Sequence, residues 1–294
     1  MGIYSKGTSN QYNDKKKILI AYHSGSGSTR TICEVLKEKL SIDFNVELHS
    51  VCSFDKSLLP KFDFIIIGFP TYHCQPSKSI MEFVDSLSPL ETAKNAVVLA
   101  TYGLYSGNSI RILAKELLKK NIFAVNYLGI RGPASDGVLM APSWLSFMFN
   151  YEKSCLTKIE YTVDMVKKFI KAKPLQANVK IPSYKWYVPL NNILRFFGER
   201  SYENLKESIS VDAHRCKNCG LCIKSCDRQC WSNNETEGKS PIKTTPSFNC
   251  QNCEFCLRCI HICPYRGIKF NDKMIEMPRL NKKFYDDLKK RLLK

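Results

Sequence analysis

Residues 17–23 read KILIAYH, a nearly continuous apolar run of strand length. The polar stretch Ser24-Gly25-Ser26-Gly27-Ser28-Thr29 follows, and then Ile32, Val35, Leu36 and Leu40 recur at the 3.6-residue period of a helix. Apolar runs at 62–69, 96–101 and 122–130 continue the alternation, and a further strand is expected around 44–51. Between them lie the helical patterns Ile80, Phe83, Val84, Leu87 and Ile110, Leu113, Ala114, Leu117, Leu118. Strands buried on both faces and alternating with amphipathic helices predict an α/β unit with a parallel sheet covered on both sides. Leu156, Ile159, Val163, Val166 and Ile170 predict the helix that closes it.

The pattern then breaks. Pro174, Pro182 and Pro189 forbid a continuous helix across the next segment. Positions 165–198 carry seven basic residues and no acidic one, with Trp186, Tyr187, Phe196 and Phe197 among them. The expected organisation is a first domain over 16–172, a basic aromatic connector over 173–209, a small domain over 210–275 and a basic helix over 276–294. The connector's aromatics suit packing of one domain on the other. Its charge suits an acidic protein partner, and membrane-surface contact there or through the apolar 139–149 segment is a further reading. No nucleic-acid partner is expected, because no helix-turn-helix or RNA-binding motif stands out.

Composition sharpens the second domain. Of 14 cysteines among 294 residues, ten fall between Cys216 and Cys263, whereas Cys33, Cys52, Cys74 and Cys155 are scattered. That is a local cluster and not a disulfide lattice. The first 17 residues are polar and end in lysines, without a signal-peptide core, and the longest strongly apolar window, 138–150, is shorter than the roughly 20 residues a membrane helix needs. A cytoplasmic, reducing setting is expected.

The cysteines form two runs, Cys216-x2-Cys219-x2-Cys222-x3-Cys226 and Cys253-x2-Cys256-x2-Cys259-x3-Cys263-Pro264. Each member of the second stands 37 positions after its counterpart in the first. Both match the bacterial ferredoxin spacing for 4Fe-4S clusters. Paired C-x2-C knuckles also make zinc sites, but a zinc ribbon needs two knuckles of two, not two ladders of three with a fourth cysteine at x3. Asp227 replaces the proline usual after the first run, and Cys230 and Cys250 exceed eight ligands. The surplus pair reads either as ordinary thiols or as a swapped ligand or a different cluster form. Between the runs, 232–247 is a polar, turn-rich insert.

The 24–29 junction is an anion site by physics, because hydroxyls and free amides meet a helix N-terminus there. No Gly-Lys-Ser/Thr follows, so it is not a P-loop, and the third glycine of a dinucleotide fingerprint is missing. The stretch SGSGST resembles the flavodoxin phosphate loop, with Ser24, Ser26 and Thr29 at hydroxyl positions and Ser28 at a position more often Asn. GFPTYHCQPSKSIMEFVDSL and ATYGLYSGNSIRILAKELLKK fit the same family after the next strands.

The chain over 16–171 and 214–270 thus resembles anaerobe proteins that fuse an N-terminal flavodoxin-like FMN domain to a C-terminal dicluster ferredoxin. The resemblance implies a doubly wound five-stranded sheet of order 2-1-3-4-5 followed by a small α+β domain. It implies FMN held by Ser24, Gly25, Ser26, Gly27, Ser28 and Thr29 at its phosphate, and by Pro70, Thr71, Tyr72, Thr101, Tyr102, Gly103, Tyr105 and Gly107 around its ring. It also implies two 4Fe-4S clusters with crossed ligands: Cys216, Cys219, Cys222 and Cys263 for one, and Cys253, Cys256, Cys259 and Cys226 for the other. The formal charge of +17 would fall to roughly +11 with two dianionic clusters and an FMN phosphate. The implied function is electron transfer between FMN and the clusters, with a redox protein such as an acidic ferredoxin or a reductase as partner. The rival reading is a docking or regulatory protein without flavin. No acid–base constellation names a substrate.

Overall fold

The structure is a computed structural model that describes residues 15–137, 146–172, 181–185, 205–233, 245–274 and 279–293. Most of the basic aromatic connector, including Trp186, Tyr187, Phe196 and Phe197, lies outside them.

The first unit runs β1 (Lys17–Tyr22), α1 (Ser28–Leu40), β2 (Asn45–Ser50), β3 (Phe64–Tyr72), β4 (Gln75–Pro76), α2 (Lys78–Asp85), β5 (Lys94–Tyr102), α3 (Ser109–Lys119), β6 (Ile122–Arg131) and α4 (Cys155–Ala172). The five long strands are parallel in the order β2-β1-β3-β5-β6, and β4 is a two-residue strand folded back antiparallel on the end of β3. Leaving out that hairpin, the order is the 2-1-3-4-5 of the sequence reading.

Period-two alternation divides the strands between two cores. Leu19, Ala21, Ile65, Ile67, Val98 and Ala100 pack under α2 and α3 with Ile80, Phe83, Leu113 and Leu117. Ile18, Ile20, Ile66, Val97 and Leu99 pack under α1 and α4 with Ile32, Leu36, Ile159 and Val163. Burial on both faces is why these strands read as unbroken apolar runs. Among the described residues no helix is long and apolar enough to cross a membrane.

The second unit is a small α+β layer. β7 (Ile209–Val211) pairs antiparallel with β10 (Ile268–Phe270), which pairs with β11 (Lys273–Met274). β8 (Trp231–Ser232) pairs with β9 (Ser247–Phe248), so the polar insert leaves and re-enters through adjacent strands. Two five-residue helices, α5 (Leu221–Ser225) and α6 (Arg258–Ile262), carry the middle of each cysteine run. Its core is Ile209, Trp231, Phe255, Leu257, Ile260 and Ile268 with the cysteines around it.

A final helix, α7 (Lys282–Leu293), returns to the first unit. Lys289 bridges to Glu34 at 3.2 Å and to Glu38 on α1, and Tyr285 and Leu288 are buried with Met148 and Phe149. Met148 and Phe149, at the end of the 139–149 segment, are thus packed inside the protein.

Candidate functional site: a ring cavity beside two thiol cavities

Parallel strands bring their C-terminal ends to one edge, and a doubly wound sheet opens its crevice there. The loops after β1, β3 and β5 meet at that edge around a cavity of about 260 Å³. One end is Ser24, Gly25, Ser26, Ser28 and Thr29; the walls are Pro70, Thr71, Tyr72, His73, Cys74, Thr101, Tyr102, Gly103, Leu104 and Tyr105. The 133–136 turn, Met148 and Phe255 complete it.

The anion end is held open by hydrogen bonds behind it. Ser24 Oγ accepts from the Arg30 N–H at 3.2 Å, Thr29 Oγ1 pairs with Thr101 Oγ1 at 2.8 Å, and Tyr151 donates to the Ser28 carbonyl at 2.8 Å. Helix α1 starts at Ser28 with no acidic residue in its first turn, so the positive end of its dipole is unopposed there. Gly27 has φ 135°, a conformation for glycine, and a Cβ on it would enter the ring of Tyr285.

On the far wall His73 and Cys74 have φ 48° and 62° and form the two-residue turn of the β3–β4 hairpin. Positive φ at both positions is the primed-turn geometry, and each such L-residue costs roughly 1–2 kcal/mol. Gly107, with φ 54°, meets the Cys74 Cβ. Of the fourteen expected flavin residues, Gly27 and Gly107 therefore stand behind the cavity wall, supporting loops rather than lining it; the other twelve line it.

The cysteine runs surround two smaller cavities. One is lined by Cys216, Cys219 and Cys222 together with Cys263. The other is lined by Cys253, Cys256 and Cys259 together with Cys226, and by Cys230. Each triplet thus faces the last cysteine of the opposite run. Among the described residues, no three His, Cys, Asp or Glu side chains close on a single metal ion; the thiols stand around two spaces.

The 37-residue repeat extends to the backbone. Asn218 and Phe255 have φ 50° and 54°, Gly220 and Leu257 have 71° and 58°, and Gln229 and Arg266 both have 52°. The N–H groups of Gln229 and Arg266 close the same turn on the carbonyls of Cys226 and Cys263. The Asn218 and Phe255 N–H groups donate to Cys216 and Cys253 Sγ at 3.4 and 3.3 Å, and those of Cys230 and Gly267 donate to Cys226 and Cys263 Sγ at 3.3 and 3.2 Å. Alternating left-handed residues make amide nests for anions, the arrangement suited to a dianionic 4Fe-4S cluster. Burial pushes the Cys256 thiol up to about 12 and Cys222 to about 11, so a metal is needed to hold them as thiolates at neutral pH. The donor set and its nests fit two clusters, and the hydroxyl end and tyrosine walls fit FMN.

Asp227, in the place of a proline, accepts from Arg258 Nη1 at 3.0 Å and ties the two runs together. Cys230 is buried and shares the second thiol cavity. Its thiol donates to the Arg228 carbonyl at 3.6 Å and its N–H donates to Cys226 Sγ at 3.3 Å, and the neighbouring sulfurs of Cys226 and Cys253 hold it protonated by raising its pKa. Cys250 lines neither thiol cavity; its carbonyl accepts from the Cys253 N–H at 2.9 Å.

The two units are joined by groups the sequence did not single out. Glu254 Oε1 accepts from the Ser79 N–H at 2.7 Å and from the Ser79 hydroxyl. Its Oε2 lies 3.7 Å from His23 Nδ1, and His23 is bonded at 2.9 Å to Ser77 Oγ. Arg228 forms a two-pronged pair with Glu82. His261 takes the Leu280 N–H on Nδ1 at 3.2 Å, which assigns the proton to Nε2, and donates from there to the Ser135 carbonyl at 3.0 Å. Burial pushes its pKa down to about 4 and keeps the ring neutral. Arg228, Glu254 and His261 hide in sequence because each looks like an ordinary polar position between cysteines; the 37-residue repeat marks the cluster loops but not their facing surface.

An α/β domain with an anion loop and an aromatic cavity at the C-terminal edge of a parallel sheet belongs to the class that binds a phosphorylated flat ring. A family model described as a flavodoxin domain matches residues 19–122; the N-terminal region is a flavodoxin-like domain, and this supports FMN as its cofactor. Similar solved structures include oxidised flavodoxin 2 from Bacillus cereus, 24% identical over 52% of this chain and 99% of that one, with a TM-score of 0.42. A flavodoxin from the domain Archaea is 17% identical over 53% and 99%, with a TM-score of 0.39. The flavodoxin of Streptococcus pneumoniae TIGR4 is 14% identical over 54% and 99%, with a TM-score of 0.41. No curated protein matches the chain.

Proposed function

We propose that this chain is an electron-transfer iron–sulfur flavoprotein, with FMN in the aromatic cavity and a 4Fe-4S cluster in each thiol cavity. FMN exchanges two electrons with an organic compound or one at a time with clusters, each of which carries one.

The observation that carries the reading is a shared wall. Gly25 lines both the aromatic cavity and the cavity of Cys226, Cys253, Cys256 and Cys259. A Cβ on Gly25 would overlap both the Tyr72 hydroxyl and the Cys256 Cβ. Phe255, between Cys253 and Cys256, reaches the aromatic cavity directly. Covalent and van der Waals contact of this kind makes the thiol set at Cys256 the inner one. The set at Cys216, Cys219, Cys222 and Cys263 shares no lining residue with the aromatic cavity and is the outer one.

In this reading Ser24, Ser26, Ser28 and Thr29 bind the phosphate, and Tyr72, Tyr102 and Tyr105 flank the ring. Glu254, Arg228 and His261 hold the cluster loops against the flavodoxin-like domain. The partner is a second redox protein, and the connector is one candidate for contacting it. Anaerobic purification followed by metal and flavin analysis tests the proposal: about eight iron and one FMN per chain are expected from two clusters and one flavin. Eight iron with no flavin, seen as broad absorption lacking resolved flavin bands, would overturn the flavin step and favour the docking reading. One or two zinc and no iron would sink it altogether.

A further inference from the structure

The geometry points to a docking face for a small acidic one-electron protein at the outer thiol set, built from Arg215, Lys217 and Lys224 around the exposed Cys219. The inference rests on the function proposed above and adds the place where electrons cross to a partner.

Two observations carry it. The first is position. Phe255 and the Gly25 loop separate the inner cavity from the flavin cavity, whereas Cys219 on the outer set is exposed. Leu221 and Tyr265, both lining that cavity, are 41% and 46% exposed. A pair of exposed apolar side chains over a redox centre is the dry centre that a transient partner needs for close approach. The second is charge. Between His214 and Cys226 the cations are Arg215, Lys217 and Lys224, all exposed, and no acidic residue interrupts them. None of the three forms an ion pair among the described residues. The neighbouring Asp212 carboxylate is turned back to accept from the His214 and Arg215 N–H groups at 3.0 and 3.2 Å.

Lys217 lines the outer thiol cavity and Lys224 stands three residues after Leu221 on the same helix, and cations beside an apolar patch attract an acidic partner over a Debye length and orient it. A cluster held by Cys216, Cys219, Cys222 and Cys263 would give up one electron and the partner's metal would take up that one, with no proton or atom moved. The same face serves the reverse direction.

The test uses the full chain, anaerobically purified and assayed for iron, then reduced and mixed with oxidised rubredoxin, a small acidic one-iron protein whose visible absorption bleaches on reduction. The second-order rate should fall with added salt. In Lys217→Glu/Lys224→Glu it should fall at least about tenfold at low ionic strength, while the rate with a neutral quinone stays within twofold. Lys61→Glu/Lys115→Glu, which changes net charge equally on exposed positions of the first unit, should react with rubredoxin like the parent. An unchanged rate in the first variant, or an equal loss in the second, overturns the docking face while leaving the electron-transfer reading intact. A preparation without iron instead overturns that reading, before any kinetics.

Discussion

Glu254 and Ser79 are 175 positions apart in the chain, yet the Glu254 carboxylate accepts both the backbone N–H and the hydroxyl of Ser79 in a buried contact. Ser79 lies in the first turn of α2, where the helix dipole favours an anion. A residue of the second cysteine run thereby caps a helix of the flavodoxin-like domain. Glu254→Ala leaves the buried Ser79 donors without an acceptor, at a cost of about 1–3 kcal/mol. The urea midpoint followed by circular dichroism should drop accordingly, and Glu254→Gln, which keeps one acceptor oxygen, should drop less.

Gly25→Ala tests the shared wall. Its methyl group has no room between the Tyr72 hydroxyl and Cys256, so the phosphate loop or the cluster loop must shift. FMN affinity, read by quenching of flavin fluorescence, should weaken at least about tenfold, equivalent to 1.4 kcal/mol. Parent-like affinity would mean that the two loops do not touch in solution.

Tyr285 reaches the phosphate loop from the C-terminal helix, its hydroxyl 3.0 Å from Ser26 Oγ. Tyr285→Phe removes one hydrogen bond, worth about 0.5–1.5 kcal/mol net, and keeps the ring against Gly27. A several-fold rise in the FMN dissociation constant is expected, with the thermal midpoint of the flavin-free protein lowered by only about 2–4 °C.

Cys230 is expected to be a buried thiol and not a ligand, donating to the Arg228 carbonyl at the edge of the second thiol cavity. Polarity beside a cluster influences its reduction potential. Cys230→Ala should keep about eight iron while shifting the midpoint of one cluster. Cys253→Ala should lose about four iron. Iron and sulfide analysis with a redox titration followed by electron paramagnetic resonance distinguishes the two; loss of four iron in Cys230→Ala would make it a ligand.

His23 is buried, and burial lowers its pKa below 6.5 although Glu254 pulls the other way. As pH falls, the unfolded chain takes the proton first. The stability held above the unfolded value is therefore lost progressively below about pH 6.5, down to the depressed folded value. His261, pushed to about 4, adds a loss of the same sign. Urea midpoints should be lower at pH 5.5 than at pH 7.5, and His23→Gln should flatten part of that difference.

Much of this was legible in sequence because it depends on local order. The run KILIAYH could only be a strand buried on both faces, and the spacing of Ile32, Val35, Leu36 and Leu40 aligned one helical stripe. Parallel topology then forced the three loops to one edge. What escaped were contacts with no sequential period, those of Phe255, Glu254 and Tyr285. Gly27 and Gly107 read in sequence as flavin-contacting glycines, and only packing shows that Tyr285 and Cys74 fill the space beside them.

The two cysteine runs determined by themselves that three thiols of each converge, because x2 spacing allows a short loop to wrap one point. They also carried the 37-residue repeat that the left-handed residues obey. Tertiary structure decided which cavity lies inside and which outside. That choice depends on how Glu254, Arg228 and His261 seat one face of the small unit on the flavodoxin-like edge. Spacing along a chain encodes which groups can meet locally; it carries no information about which face of a folded unit turns toward its neighbour.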